Sequence, residues 1–91
     1  MSVYAAAAQV LSLILHFNER HGIPLPQTWL AAWSELPDCR LQAALQVIRH
    51  DFAASELASG WLVRSVTDAE RFIVSNGRLG SPWTRPFPAY S

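Results

Sequence analysis

The chain has 91 residues, 51% of them hydrophobic and 15% charged, which suits one folded domain and excludes a disordered chain. Seven Arg and seven acidic residues cancel, and there is no Lys, so a general attraction to phosphate backbones is not expected. The single cysteine, Cys39, excludes an internal disulfide and a cysteine-based zinc site, and it suits a reducing cytoplasm.

Helix one is predicted from about Val3 to His21, because Gly22 can form a left-handed cap and Pro24 prevents continuation. Its apolar run is too short, and too often interrupted by polar residues, to predict a signal peptide or a membrane span. One face carries a polar stripe, and apolar residues cover most of the remaining circumference. We therefore expect burial on two sides, the second against the C-terminal segment or another copy of the chain. The stripe contains Gln9, Ser12, His16, Glu19 and Arg20.

Helices two and three follow, separated by a break at Pro37. Helix two is predicted from Pro26 to Leu36, with Trp29, Leu30, Trp33 and Leu36 facing inward. Helix three occupies "PDCRLQAALQVIRHDF", residues 37–52, with Asp38 as its N-cap. A continuation of this helix through Ala53 to Ser59, with Gly60 as its stop, is compatible with the pattern. Its inward face is predicted to contain Leu41, Ala44, Leu45, Ile48 and Phe52.

After Gly60 the pattern favours strands. "WLVRSV" and "RFIVS" are rich in β-branched and aromatic residues, and "TDAE" between them predicts a hairpin turn. Asn76–Gly77 is a further turn signal. In the alternative, Thr67 and Glu70 form a capping box and "TDAERFIVSNG" is a helix, which gives an all-α four-helix domain. The strand interpretation is preferred because Phe-Ile-Val is poor helix-forming material.

The last eleven residues, "SPWTRPFPAYS", contain three Pro and three aromatic residues and predict an extended arm. The chain therefore divides into a domain at 1–80 and an arm at 81–91. The arm is too apolar for a solvated tail, so it is expected to pack on the domain or on a partner. Its candidate partner-binding residues are Trp83, Arg85, Phe87 and Tyr90, and a homodimer through helix one and the arm is expected.

Three helices followed by a two-stranded hairpin, with a Pro-marked turn before helix three, resemble a winged helix-turn-helix domain. The resemblance covers about residues 8–79 and runs from "TWLAAW" through "ELPDCRLQAAL" to "ASGWLVRSVTDAERFIV". It lies in element order and hydrophobic spacing. The predicted fold class is accordingly α+β, with a hairpin wing after the three helices.

The resemblance implies a DNA-binding transcriptional regulator whose helix three enters the major groove. Arg can bind guanine O6 and N7, and Gln can pair with adenine N6 and N7, which would give Arg40, Gln42, Gln46 and Arg49 roles at base edges. Arg64 and Arg71, flanking the predicted hairpin tip, would contact phosphates. Zero net charge favours the alternative hypothesis, a protein-binding adaptor or inhibitor of phage or plasmid type.

No pattern in the sequence indicates catalysis. His16, His21 and His50 lack metal-ligand spacing, and no nucleophile-elbow or triad signature surrounds any Ser. The four Gly are isolated turn residues, so a phosphate-binding loop is not predicted either. We expect a non-enzymatic protein without a metal or cofactor.

Overall fold

The computed structural model of the chain describes residues 2–51 and 54–76. This part is α+β, with four helices and one two-stranded antiparallel hairpin. In chain order the elements are α1 (Val3–His21), α2 (Gln27–Ser34), α3 (Asp38–Asp51), β1 (Ala54–Leu57), β2 (Gly60–Val63) and α4 (Val66–Asn76). The predicted arm at 81–91 lies outside the described residues.

Helix α1 lies at the centre of the fold and has the predicted bounds. The Ser2 hydroxyl accepts a hydrogen bond from the Ala5 N–H at 3.1 Å, which caps the helix start. Gly22 ends the helix with a left-handed φ of 69°, as predicted. The helix packs against α2, α3, α4 and β2, which confirms burial on two sides. Helix α4 is one of the elements that cover it.

The polar stripe of α1 is partly buried. Ser12 is fully enclosed, and its hydroxyl oxygen lies 3.2 Å from Nδ1 of His16, one turn later. Gln9 is half-buried and donates from Nε2 to the carbonyl oxygen of Ser34 at the end of α2. These hydrogen bonds allow polar groups to lie against the core. Only the Glu19 and Arg20 end of the stripe is well exposed.

The α4 segment corrects the predicted second strand. Residues 71–75 are helical, and the Ser65 hydroxyl accepts from the Asp68 N–H at 3.3 Å, which caps the start of this helix. Three apolar side chains at helical spacing, those of Ala69, Phe72 and Ile73, are then buried. Packing against α1 thus outweighs the low helix propensity of Phe-Ile-Val. The alternative interpretation, in which this segment is a helix, is confirmed for residues 67–76.

The hairpin lies earlier in the chain than predicted. Strands β1 and β2 pair antiparallel from Ala54↔Val63 to Leu57↔Gly60, and Ala58 and Ser59 form the turn. The predicted extension of helix three to Ser59 is therefore wrong, and so is the all-α alternative. Helix α3 does bury its predicted inward residues Leu41, Ala44, Leu45 and Ile48, whereas Phe52 lies outside the described residues.

A single β-bridge joins β2 to the segment between α1 and α2. The Leu25 N–H donates to the Trp61 carbonyl oxygen at 2.9 Å, and the Trp61 N–H donates to the Leu25 carbonyl oxygen at 2.8 Å. Gly60 has a φ of 136°, and a Cβ there would overlap the Leu25 carbonyl group. Gly60 therefore permits the close approach of two backbones and is not a helix stop.

Candidate binding surface

Helices α2 and α3 are joined by the short turn at residues 35–37, and α3 presents one face outward. In the turn Glu35 has a left-handed φ of 58°, a conformation more often adopted by Gly. The polar residues predicted to face outward are all exposed, which follows from the burial of the opposite face of α3. They are Arg40, Gln42, Gln46, Arg49 and His50.

Arg49 connects α3 to the hairpin. Its Nη1 donates to Gln46 Oε1 at 2.8 Å, and its Nη2 lies 3.2 Å from Glu56 Oε1 on β1. The guanidinium also lies 5.3 Å from the ring centroid of Trp61 on β2. To bind a guanine edge, Arg49 would have to give up these contacts. Arg49 and Gln46 are therefore less available than the sequence suggested.

Arg64 and Arg71 do not flank the hairpin tip. The tip is at Ala58 and Ser59, whereas Arg64 follows the end of β2. Arg71 lies on α4, where its Nη1 is 3.4 Å from Oδ1 of Asp68. Their predicted position at the wing is wrong, because the second predicted strand is a helix.

The outward side of the hairpin carries two exposed apolar side chains, those of Leu57 and Leu62. Since paired residues share a face of the sheet, Ser55 and Leu57 lie on the same side as Gly60 and Leu62. We call these four residues the hairpin face. Leu57 is 43% exposed and Leu62 is 37% exposed. The only charged residue between positions 54 and 63 is Glu56, so the hairpin contains no basic residue.

A pocket adjoins the hairpin at the start of α2. It is lined by residues 26–28 and 56–61 and encloses about 510 Å³, including its open mouth. Within it, Trp61 Nε1 donates to Gln27 Oε1 at 2.7 Å, and the Trp61 ring is fully buried. Leu57 therefore lies at the edge of a concavity whose floor is held in place by a hydrogen bond.

Charge is distributed unevenly along the chain. Residues 2–76 contain five Arg and seven acidic residues, a formal side-chain charge of −2. Residues 77–91 contain two Arg, Arg78 and Arg85, and no acidic residue, a formal charge of +2. The body that carries α3 and the hairpin is therefore acidic.

Other kinds of site are not seen in the described part of the chain. Among residues 2–51 and 54–76, no group of three or more His, Cys, Asp or Glu side chains could hold a metal ion. No helix in these ranges has the length and apolar character needed to cross a membrane. The predicted partner-binding residues Trp83, Arg85, Phe87 and Tyr90 lie outside them.

Comparisons with protein-family models, with curated proteins and with solved structures give no match for this chain. The surface is therefore interpreted from its own residues. Sequence patterns missed Leu57 and Leu62, because Ala58-Ser59 is not one of the usual turn pairs such as Asn-Gly. One indication of the hairpin is present in the sequence. Ser55 and Glu56 are polar, whereas residues 61–63, "WLV", which follow Gly60, are apolar and typical of a strand.

Proposed function

We propose that the chain is a non-enzymatic protein-binding domain that contacts its partner through the hairpin face and the outward side of α3. The observation that carries the proposal is the hairpin itself. It has no basic residue and exposes Leu57 and Leu62 beside a pocket. An apolar surface next to a concavity favours a protein partner over a polyphosphate.

We propose that the frame that supports this surface is winged-helix-like, and the order of its elements supports this proposal. Three helices are followed by β1 and β2, and the bridge at Leu25 occupies the place of a third strand between α1 and α2. A fold does not by itself determine a ligand, so the choice between DNA and protein depends on the surface.

The charge of the described part makes DNA a less favourable ligand than a protein. Phosphate contacts supply a large share of the affinity of a DNA-binding domain, and their electrostatic part comes from Lys and Arg side chains that reach the backbone. Here the body has a formal charge of −2, Arg71 is paired with Asp68, and Arg49 is engaged with Glu56. The hairpin contributes no basic side chain to phosphate binding, and its one charged residue, Glu56, is paired with Arg49.

The partner would bury Leu57 and Leu62 at the centre of the contact. Arg40, Gln42 and Gln46 on the outward side of α3 would supply further hydrogen bonds to the partner, as polar residues do at protein interfaces. Arg49 would keep α3 and β1 in a fixed relation. The surface would then need little rearrangement on binding.

DNA binding is the second candidate, and the turn between α2 and α3 favours it. A three-residue turn (residues 35–37) places the N-terminal half of α3 outward, and Arg40 and Gln42 there have the chemistry to contact base edges. In that case α3 would supply the sequence contacts without help from the hairpin.

A matched pair of variants tests the protein-binding proposal. Leu57 and Val66 are both 43% exposed, but only Leu57 belongs to the hairpin face. We expect Leu57→Arg to reduce capture of partner proteins at least about tenfold in quantitative affinity enrichment, because it places a charge at a buried contact. Val66→Arg should capture the same proteins at wild-type levels. Equal capture by the two variants would contradict the proposal.

Titration of the full chain with mixed duplex DNA at two salt concentrations separates the two candidates. If the chain binds a protein and not DNA, we expect no salt-sensitive binding to the duplex at low ionic strength, because phosphate contacts give a salt slope. Salt-sensitive binding that is lost in Arg40→Ala and Gln42→Ala would establish DNA binding through α3 instead.

A further inference from the structure

A second concave surface lies between α1 and α4, away from the residues assigned to partner binding. The groove has a volume of about 430 Å³, including its open mouth. Its lining comes from one face of each helix. These residues are Leu15, His16 and Glu19 of α1 and Glu70, Ile73 and Val74 of α4.

The groove has an apolar floor and an acidic rim. Leu15 and Ile73 are almost fully buried, whereas Val74 is 78% exposed, more than any other large hydrophobic residue in the described part of the chain. Glu19 and Glu70 are exposed, and neither makes an ion pair with a described residue. The groove would therefore suit a ligand that is aromatic or aliphatic and positively charged.

The C-terminal segment of the same chain has this chemistry. Residues 77–91 contain Trp83, Phe87 and Tyr90 together with Arg78 and Arg85, and they contain no acidic residue. Their formal charge of +2 is opposite to the −2 of residues 2–76. Because three of the last ten positions are Pro, the segment loses less conformational entropy on docking than an ordinary chain would.

The segment also starts beside the groove. Helix α4 ends at Asn76, two residues after Val74. Fifteen residues in an extended conformation can span about 50 Å, so every position on the groove is within reach. A short tether gives the segment a high effective concentration at this surface, which favours its own chain over a separate molecule.

We propose that residues 81–91 dock into the α1–α4 groove of their own chain. Trp83 packs on Leu15, Ile73 and Val74, and Arg85 faces the carboxylates of Glu19 and Glu70. Docking covers Val74 and balances the acidic rim. This inference is independent of the partner surface on the hairpin, and it assigns the apolar arm to the protein's own body.

Paramagnetic relaxation in the full chain tests the docking. A nitroxide is attached at Ala89→Cys in a Cys39→Ser background, and line broadening is measured at the α1 amides of Leu15 and Glu19. These amides are distant from the label in sequence. We expect strong broadening there, and we expect Val74→Arg to lower the ratio of docked to undocked arm about tenfold by removing an apolar contact and adding a like charge.

Val66→Arg is the matched control, because it makes the same change at an exposed Val of α4 that lies outside both the groove and the hairpin face. It should leave the broadening unchanged. Circular dichroism verifies that both variants keep the helical content of the parent. Broadening at α1 that is weak in the parent, or equal in the two variants, would overturn the docking.

A mixed sample identifies the source of the arm. Isotope-labelled chain without nitroxide is combined with unlabelled chain that carries it, so that only arms from another copy can broaden the observed amides. Docking within one chain predicts sharp lines at Leu15 and Glu19 in this sample. Broadening as strong as in the single-chain sample would assign the groove to the arm of a second copy, and the proposal would be wrong.

Discussion

The two strands of the hairpin are attached to the domain by different kinds of contact. Strand β2 is joined to the interior by the buried ring of Trp61, by the backbone bridge to Leu25 and by the side chain of Asn18. Strand β1 is joined to α3 by the ion pair between Arg49 and Glu56, whose side chains are 41% and 50% exposed.

Buried hydrogen bonds are expensive to leave unmade, whereas exposed ion pairs contribute little to stability. The β2 side should therefore determine whether the domain folds. The exposed residues 56–59 of β1 and the turn should tolerate changes in sequence without unfolding it. A binding surface is best placed on a region such as β1 and the turn, supported by a firmly held region such as β2.

Among the substitutions that test the contrast between β1 and β2, Gly60→Ala has the largest expected effect on the free energy of unfolding. Gly60→Ala would force a left-handed φ on a residue with a Cβ and push that Cβ into the Leu25 carbonyl group. The bridge must then open, so we expect a loss of at least about 3 kcal/mol in the free energy of unfolding. Denaturant titration followed by circular dichroism measures it, and loss of cooperative unfolding is the extreme form of the same result.

Gly22 is the matched control for Gly60. It also has a positive φ, of 69°, but a Cβ there would meet nothing within 4 Å. Gly22→Ala should therefore cost only about 1 kcal/mol, from backbone strain alone. If the two variants lose equal stability, the close approach to Leu25 is not what makes Gly60 necessary.

Asn18 is expected to have an intermediate effect. Its Oδ1 accepts from the Val63 N–H at 2.8 Å, and its Nδ2 donates to the carbonyl oxygens of Ile23 and Trp61 at 3.0 and 3.1 Å. Asn18→Ala leaves the Val63 N–H without this partner, so we expect a loss of about 2 kcal/mol in the free energy of unfolding.

Gln9→Ala provides the comparison in the same denaturant titration. It removes the single hydrogen bond from Gln9 to the Ser34 carbonyl oxygen and should cost about 1 kcal/mol or less. A smaller loss at Asn18 than at Gln9 would mean that the α1–β2 junction is not the rigid part of the fold.

The helices that have a clear apolar period could be predicted from the sequence. Helix α1 was placed from Val3 to His21 with its Gly22 cap, and the inward face of α3 was identified correctly from Leu41 to Ile48. Local signals determine both features. The periodicity selects the buried face, and the left-handed glycine ends the helix.

The hairpin and α4 could not be placed in the same way. "RFIVS" has strand-like residues, and only its packing against α1 makes it helical, which is a tertiary effect. Gly60 resembled a helix stop because its contact with Leu25 lies far away in sequence. Because the hairpin is predicted too late in the chain, Arg64 and Arg71 are predicted beside its tip, where they do not lie. For the same reason Leu57 and Leu62 are not predicted as exposed hairpin residues.

The availability of Arg49 also depends on tertiary structure. Its place on the outward face of α3 follows from helical spacing, but its contacts with Glu56 and the Trp61 ring require the hairpin to be in position. Sequence reasoning could name the residue and its chemistry. It could not show that the guanidinium is already engaged.

Arg49 gives the smallest expected effect on stability and tests the β1 side directly. Arg49→Ala loses an exposed ion pair and a contact with the face of the Trp61 ring, so we expect a loss of about 1 kcal/mol in the free energy of unfolding. Arg71→Ala is the control, since its pair with Asp68 is exposed and involves no aromatic ring, and its effect should be close to zero. Because salt screens ion pairs more than ring contacts, most of the Arg49 effect should persist at 1 M NaCl. A loss of 3 kcal/mol or more at Arg49 would make β1 as firmly held as β2 and remove the distinction between the two strands.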